Sequence, residues 1–141
     1  MDYFELGYFG LFAIAFLAAT IIPLTSEGVL FLFLMNGYDP LICLFVASFG
    51  NILGGLTNYL LGYLVPTNKL LKSFKKSKNY FLIHQKATKH GYWLAVFGWV
   101  PIIGDPLLLL LGALRVSFLP FILLMSIGKV LRYYIIIFLM Q

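Results

Sequence analysis

The sequence predicts an all-α membrane protein, built as an inverted repeat of two re-entrant (broken) helical hairpins, each followed by a transmembrane helix. Three observations predict it. Of the 141 residues, 62% are hydrophobic and only 11% charged, and the mean hydropathy is +0.97. A soluble domain carries about a quarter charged residues to cover its wet surface, so the solvent of this chain is mostly lipid. Second, a proline is followed four residues later by an acid in two otherwise apolar stretches, Pro23 with Glu27 and Pro101 with Asp105. Third, one shift of 78 residues lays these two stretches on one another.

The elements follow in order. Leu6 to Thr20 is apolar and uncharged. At helical rise it reaches roughly 22 Å, short of a hydrocarbon core about 30 Å thick. Pro23 then breaks the helix, because it lacks a donor and crowds the preceding turn. Val29 to Met35 resumes the apolar run until "NGYDP", residues 36–40, signals a turn. Residues 6–35 therefore read as two short arms around a polar kink, either a re-entrant hairpin or one long broken helix. The unbroken run at the N-terminus, with no basic start, does not read as a secretory signal.

Leu41 to Leu64 is uncharged and long enough to span. Gly50, Gly54 and Gly62 are spaced to share a face, and small residues let helices approach closely in lipid. Asn51 and Asn58 are costly in hydrocarbon, so they are expected to face protein or a wet polar cavity. "VPTN", residues 65–68, ends the span. A basic stretch follows in which Leu70, Leu71, Phe74 and Phe81 predict an interfacial helix. Tyr92, Trp93 and Trp99 suit a membrane boundary. "WVPIIGDPLLLLLGALR", residues 99–115, again reads apolar arm, proline, acid, apolar arm, with Pro106 as a further helix-breaking position. Ser117 to Met140 is a last span interrupted by Lys129 and Arg132.

Under the shift of 78, Pro23 meets Pro101, Glu27 meets Asp105, and Ser48, Gly50 and Leu53 meet Ser126, Gly128 and Leu131. The chain is thus a single membrane domain, 1–141: repeat 1 about 6–64, a basic loop about 66–90, repeat 2 about 91–140. Seven of the ten cations lie between Lys69 and Lys89. That is the mark of a cytoplasmic loop under the positive-inside rule. A nucleic-acid partner would need basic residues over a folded polar face, and the net charge of +5 is not distributed that way. If each half is a hairpin returning to its own side plus one crossing, the second copy is inverted, as in secondary transporters. Glu27 and Asp105 would then face one another near the bilayer centre.

A carboxylate at that depth must pair with a cation or take up a proton. Candidate cations are Arg115, Lys129 and Arg132. Lys129 and Arg132, three apart, fall on one helix face. Two acids and two or three cations in a greasy shell suit an anionic headgroup, with the cations as ligands and an acid as proton carrier. They also suit a structural ion-pair cluster. No enzyme chemistry is expected: His84 and His90 lie in the polar loop, Ser26 and Ser48 have no adjacent histidine, and there is no metal-ligand spacing or cofactor motif. Cys43, the lone cysteine, excludes an intramolecular disulfide.

Four segments together resemble the DedA superfamily, also called the SNARE-associated or VTT-domain family, and most closely its YqaA-like branch. They are "PLTSEGVL" (23–30), "GNILGGLTNYLLG" (50–62), "WVPIIGDPLLLLLGALR" (99–115) and "SIGKVLRY" (126–133). The resemblance covers roughly residues 11–134. It implies two opposed re-entrant hairpins and lipid translocation across a bacterial inner membrane. Bacterial members are implicated in recycling undecaprenyl phosphate or flipping phosphatidylethanolamine, driven by a proton or sodium gradient; eukaryotic relatives resemble scramblases. Glu27 matches the acid of the first hairpin. The main branch reads G-D-x-x-x-Y-x-x-G-R where this chain has Gly55 for the acid and Tyr63 for the arginine. It reads R-F-x-P-x-x-R where this chain has Gly98 and Gly104 around Pro101. The resemblance thus implies that the main branch's arginine headgroup site is absent and that Lys129 and Arg132 supply the charge.

Three functions follow as expectations. The first is a proton-coupled translocase of lipids or lipid phosphates, its partners being anionic or undecaprenyl-phosphate-like lipids and protons or sodium ions. The second is an ion-gradient-driven transporter of a small solute, and the third a non-transporting membrane scaffold. A homo-oligomer is compatible with each.

Overall fold

The computed structural model describes residues 3–20, 26–65, 80–101 and 103–140. Apart from short turns they are helical, with no strand among them. In chain order the helices are α1 (Tyr3–Ala18), α2 (Ser26–Met35), α3 (Pro40–Leu64), α4 (Tyr80–His90), a 3-10 helix (Gly91–Trp99), α5 (Gly104–Ala113) and α6 (Phe118–Met140). Helices α3 and α6, of 25 and 23 residues, are long and apolar enough to cross a membrane. Helices α1, α2 and α5 are apolar but shorter. Pro23 and the basic positions 69–78, including Leu70, Leu71 and Phe74, lie outside the described residues. Phe81 falls in α4.

The helix ends follow from local chemistry. Asp39 opens α3: its Oδ1 accepts from the backbone N–H of Leu41 at 2.8 Å and Ile42 at 3.0 Å, and Pro40 takes the first turn, where no donor is missed. At the end of α2, Gly37 adopts φ 81°, Gly37 N donates to Leu34 O at 3.1 Å, and Tyr38 N donates to Phe33 O at 3.2 Å. This is a Schellman cap, and the Phe33 and Tyr38 rings supply its apolar contact at 4.6 Å. The same cap closes α5. Arg115 N donates to Gly112 O at 2.9 Å and Val116 N to Leu111 O at 3.3 Å. Here the left-handed position is held by Arg115, φ 53°.

The bounds of α2 and α5 coincide under the 78-residue shift, as do the first residues of α3 and α6 and the two Schellman caps. The first arms differ, α1 being an α-helix and its counterpart a 3-10 helix. The second arm doubles back at once: a Cβ on Gly98 would meet the Leu108 side chain at 2.9 Å, and one on Gly104 would meet Gly98 O at 2.5 Å. Glycine at both positions lets the 3-10 helix lie directly on α5. Pro101 stands in the turn between them, as expected of a helix breaker. Pro106 does not break a helix. It lies in the first turn of α5, where its missing N–H would have no intrahelical partner anyway.

Helices α3 and α6 pack on one another in opposite directions. Near one end Cys43 and Ala47 share a cluster with Tyr133 and Ile137, together with Leu11, Ala15 and Leu30. Near the other, Tyr59 meets Phe121 and Met125, with Ala95, Leu108, Leu111 and Val116. The Tyr59 and Phe121 rings lie 4.2 Å apart. The polar site lies between these two apolar clusters. Outward, Phe45, Phe49 and Leu64 on α3 and Leu119, Leu123 and Leu139 on α6 are exposed, an apolar belt suited to acyl chains.

Candidate functional site

Helix α6 carries both central cations on one face. Lys129 Nζ pairs with Asp105 Oδ1 at 3.3 Å, and Arg132 pairs with Glu27 through Nη2 and Oε1. Each acid lies in the first turn of a short helix, Glu27 in α2 and Asp105 in α5. There the unsatisfied N–H groups and the positive end of the helix dipole favour a carboxylate. The four charges cancel in pairs. Their exposure differs: the Lys129 side chain is 1% exposed and Arg132 14%, while both carboxylates are 29% exposed. Arg132 has a further partner, donating from Nη1 to Trp99 O at 3.1 Å, so one guanidinium ties α2 to the end of the 3-10 helix. The acids do not simply confront each other across the site, as the sequence led us to expect. Each faces a cation of the same helix.

A buried polar chain runs behind these pairs. Lys129 Nζ also donates to Asn51 Oδ1. Asn51 Nδ2 donates to Tyr133 Oη at 3.0 Å and to Ala15 O at 3.3 Å. Tyr133 Oη donates to Ser26 Oγ at 2.8 Å. The chain therefore links Asp105, in the first turn of α5, to Ser26, beside Glu27 in the first turn of α2. Tyr133 and Ser26 were not among the sequence candidates. Their one signal was adjacency, Tyr133 following Arg132 and Ser26 preceding Glu27.

The asparagines also secure the end of α1. Ala19 N turns back to Phe16 O at 3.2 Å, which leaves Ala15 O and Ala19 O in need of donors. Asn51 serves the first, and Asn58 Nδ2 serves the second at 2.6 Å. Close approach makes this possible. A Cβ on Gly50 would meet Phe12 O at 2.6 Å and one on Gly54 would meet Phe16 O at 2.6 Å. Gly128 does the same on α6, where a Cβ would meet Val96 O of the 3-10 helix at 2.6 Å. Gly62 departs from the expected shared face: it abuts Leu109 and Ala113 of α5. Over twelve residues the helical phase has turned it away from Gly50.

The family model for the VTT domain matches residues 6–141, nearly the whole chain. The chain belongs to the VTT domain family. Within it, the chain falls in the DedA superfamily and is YqaA-like. It is 38% identical over 129 residues to the inner membrane protein YqaA of Escherichia coli (strain K12), covering 91% of this chain and 87% of that protein. The YqaA of Shigella flexneri matches equally, at 38% over 129 residues. An uncharacterized protein of Haemophilus influenzae is 30% identical over 137 residues, covering 92% of this chain and 84% of the relative. No solved structure matches the chain significantly.

In this VTT domain, Glu27, Asp105, Lys129, Arg132 and Asn51 come together, Gly50, Gly54 and Gly128 seat the arms, and Asn58 holds the end of α1. Arg115 stands apart. It is exposed, and its guanidinium lies over the Tyr63 ring, 4.9 Å from the centroid. It caps a helix and does not enter the acid–cation cluster. Pro23, the remaining predicted helix breaker, lies outside the described residues.

Proposed function

We propose that this chain is a proton-coupled translocase of lipids or lipid phosphates in a bacterial inner membrane, not an enzyme. The observation that carries the reading is that both cations of α6 already hold a carboxylate, the Lys129 side chain being almost wholly buried and both carboxylates partly exposed. An anionic headgroup must compete for those cations. It succeeds when the carboxylate takes up a proton and lets its cation go, since a neutral acid needs no counter-charge. Proton uptake and headgroup binding are then two sides of one exchange. Arg132, the more exposed cation with a planar fork suited to phosphate oxygens, receives the headgroup first. Lys129 completes the charge balance deeper in.

The architecture we infer is an inverted repeat of two re-entrant hairpins, α1 with α2 and the 3-10 helix with α5, each followed by a crossing helix. The coincident bounds, the paired caps and the antiparallel packing of α3 on α6 support it. Residues 66–90 are then cytoplasmic, with seven lysines at that face. The YqaA relatives, which are inner membrane proteins by name, support the inner membrane.

The test is leaflet exchange in liposomes carrying fluorescent lipids, a lipid phosphate among them, with and without a proton gradient. Wild type exchanges lipid, and Glu27→Gln and Asp105→Asn abolish the gradient dependence. Well-folded protein that exchanges no lipid would move the reading to a small-solute carrier or a scaffold.

A further inference from the structure

The two ion pairs are joined by more than proximity. Asn51 sits between groups whose polarity leaves no choice: a lysine ammonium only donates and the Ala15 carbonyl only accepts. The side-chain oxygen must therefore face Lys129 and the nitrogen must face Ala15 and Tyr133. Tyr133 Oη then accepts from Asn51, so its own proton is free for Ser26 Oγ. One unbroken line of donors thus runs from Lys129 through Asn51 and Tyr133 to Ser26 at the start of α2. Tyr133 and Ser26 are 0% and 3% exposed, so neither can exchange a lost partner for water without cost.

We propose that Tyr133 is the positioning residue that makes the two ion pairs act as one unit. The proposal rests on the translocase reading for its purpose, though not for its geometry. When Lys129 leaves Asn51 for a headgroup, the asparagine oxygen loses its ammonium donor and the amide keeps only the Ala15 carbonyl to orient it. Tyr133 is then held less firmly by Asn51, and its own hold on Ser26, next to Glu27, weakens. Release at Asp105 in α5 thereby loosens the first turn of α2, and Arg132 parts from Glu27 more readily. The reverse sequence runs equally, because coupling between two sites is reciprocal. A headgroup thus meets two cations freed together.

The test is a double-mutant cycle in two backgrounds, read as thermal unfolding midpoints of the purified protein in detergent. Glu27→Gln, Asp105→Asn and their combination are compared first in wild type, then in Tyr133→Phe, which keeps the ring and removes the hydroxyl. In wild type the two acid substitutions are non-additive. In Tyr133→Phe the non-additivity falls below half, the remainder being direct charge–charge interaction. A purely structural tyrosine would lower all four midpoints and leave the non-additivity unchanged, and that result, or additivity already in wild type, overturns the proposal. Ser26→Ala cuts the same path at its other end and replaces Tyr133→Phe if that variant does not fold. Leaflet exchange on the same preparations separates the two ideas. An intact cycle without lipid exchange sinks the translocase reading alone, and exchange with an unchanged cycle sinks the role of Tyr133 alone.

Discussion

Lys129 Nζ donates to Asn51 Oδ1, and these residues stand 78 positions apart, the shift that also carries α2 onto α5 and the start of α3 onto the start of α6. On the inverted-repeat architecture proposed above, a residue that touches its own counterpart lies close to the axis relating the two halves. The centre of the site is therefore the place where the halves meet, and the chain has made it asymmetric. Asparagine serves α1 from one half, while lysine serves α5 from the other.

The asymmetry makes Lys129 the most sensitive position. Lys129→Ala leaves Asp105 without its cation and Asn51 Oδ1 without its donor, and breaking a buried pair this way costs about 3 kcal/mol. Lys129→Met combined with Asp105→Leu removes both charges and should recover most of that stability while lipid exchange stays lost. Denaturation in detergent beside an exchange assay checks both arms. Recovery of exchange by the uncharged pair would mean that the charges serve only the fold.

Arg132→Lys keeps the charge but not the fork that spans Glu27 and Trp99 O. A hydrogen bond to a charged group contributes about 1.5–3 kcal/mol, so exchange of a lipid phosphate should fall by roughly tenfold or more, since about 1.4 kcal/mol is a factor of ten. Arg132→Gln should fall further. Initial exchange rates for the two variants, at matched protein per vesicle, decide it.

Arg115→Gly tests the third cation that the sequence offers as a partner for the two acids. In the structure it holds a left-handed position where a side chain costs roughly 1–2 kcal/mol. Glycine there, as at Gly37, should leave the protein at least as stable, less what the Tyr63 contact contributes, and exchange unchanged. A collapse of exchange in Arg115→Gly would return this arginine to the headgroup site.

The glycines give a stability series with an internal control. Gly50→Ala and Gly128→Ala each push a Cβ against a backbone carbonyl that cannot swing aside, and overpacking of this kind costs typically about 1–3 kcal/mol. Gly10→Ala, with nothing within 4 Å of the added carbon, should be neutral or stabilise α1 by up to about 1 kcal/mol. Thermal midpoints that rank the three otherwise would contradict the packing described.

These cases also mark what sequence could reveal. Glu27, Asp105, Lys129 and Arg132 were legible because a charge in an apolar run needs a reason, and the shift of 78 was legible from prolines, acids and Ser-x-Gly pairs. Which acid takes which cation was not, because that depends on how α2 and α5 lie against α6. Tyr133 and Ser26 were hidden because a tyrosine and a serine are unremarked in a membrane helix until their hydroxyls are seen to meet. The paired Schellman caps are not legible in the sequence, because arginine rarely takes the left-handed position that Arg115 holds. Gly62 lies on another face than the spacing suggests, because over twelve residues its helical phase drifts from that of Gly50.

The central claim is that carboxylates and an anionic headgroup compete for the same two cations. The most direct measurement is proton movement during lipid exchange, followed with a pH dye inside liposomes that carry a lipid phosphate in one leaflet. The account predicts that the dye responds as the lipid phosphate crosses, that a neutral lipid of equal chain length gives no such response, and that Glu27→Gln and Asp105→Asn remove it. Lipid phosphate crossing at the wild-type rate with no proton movement, or with both acids replaced, would contradict it.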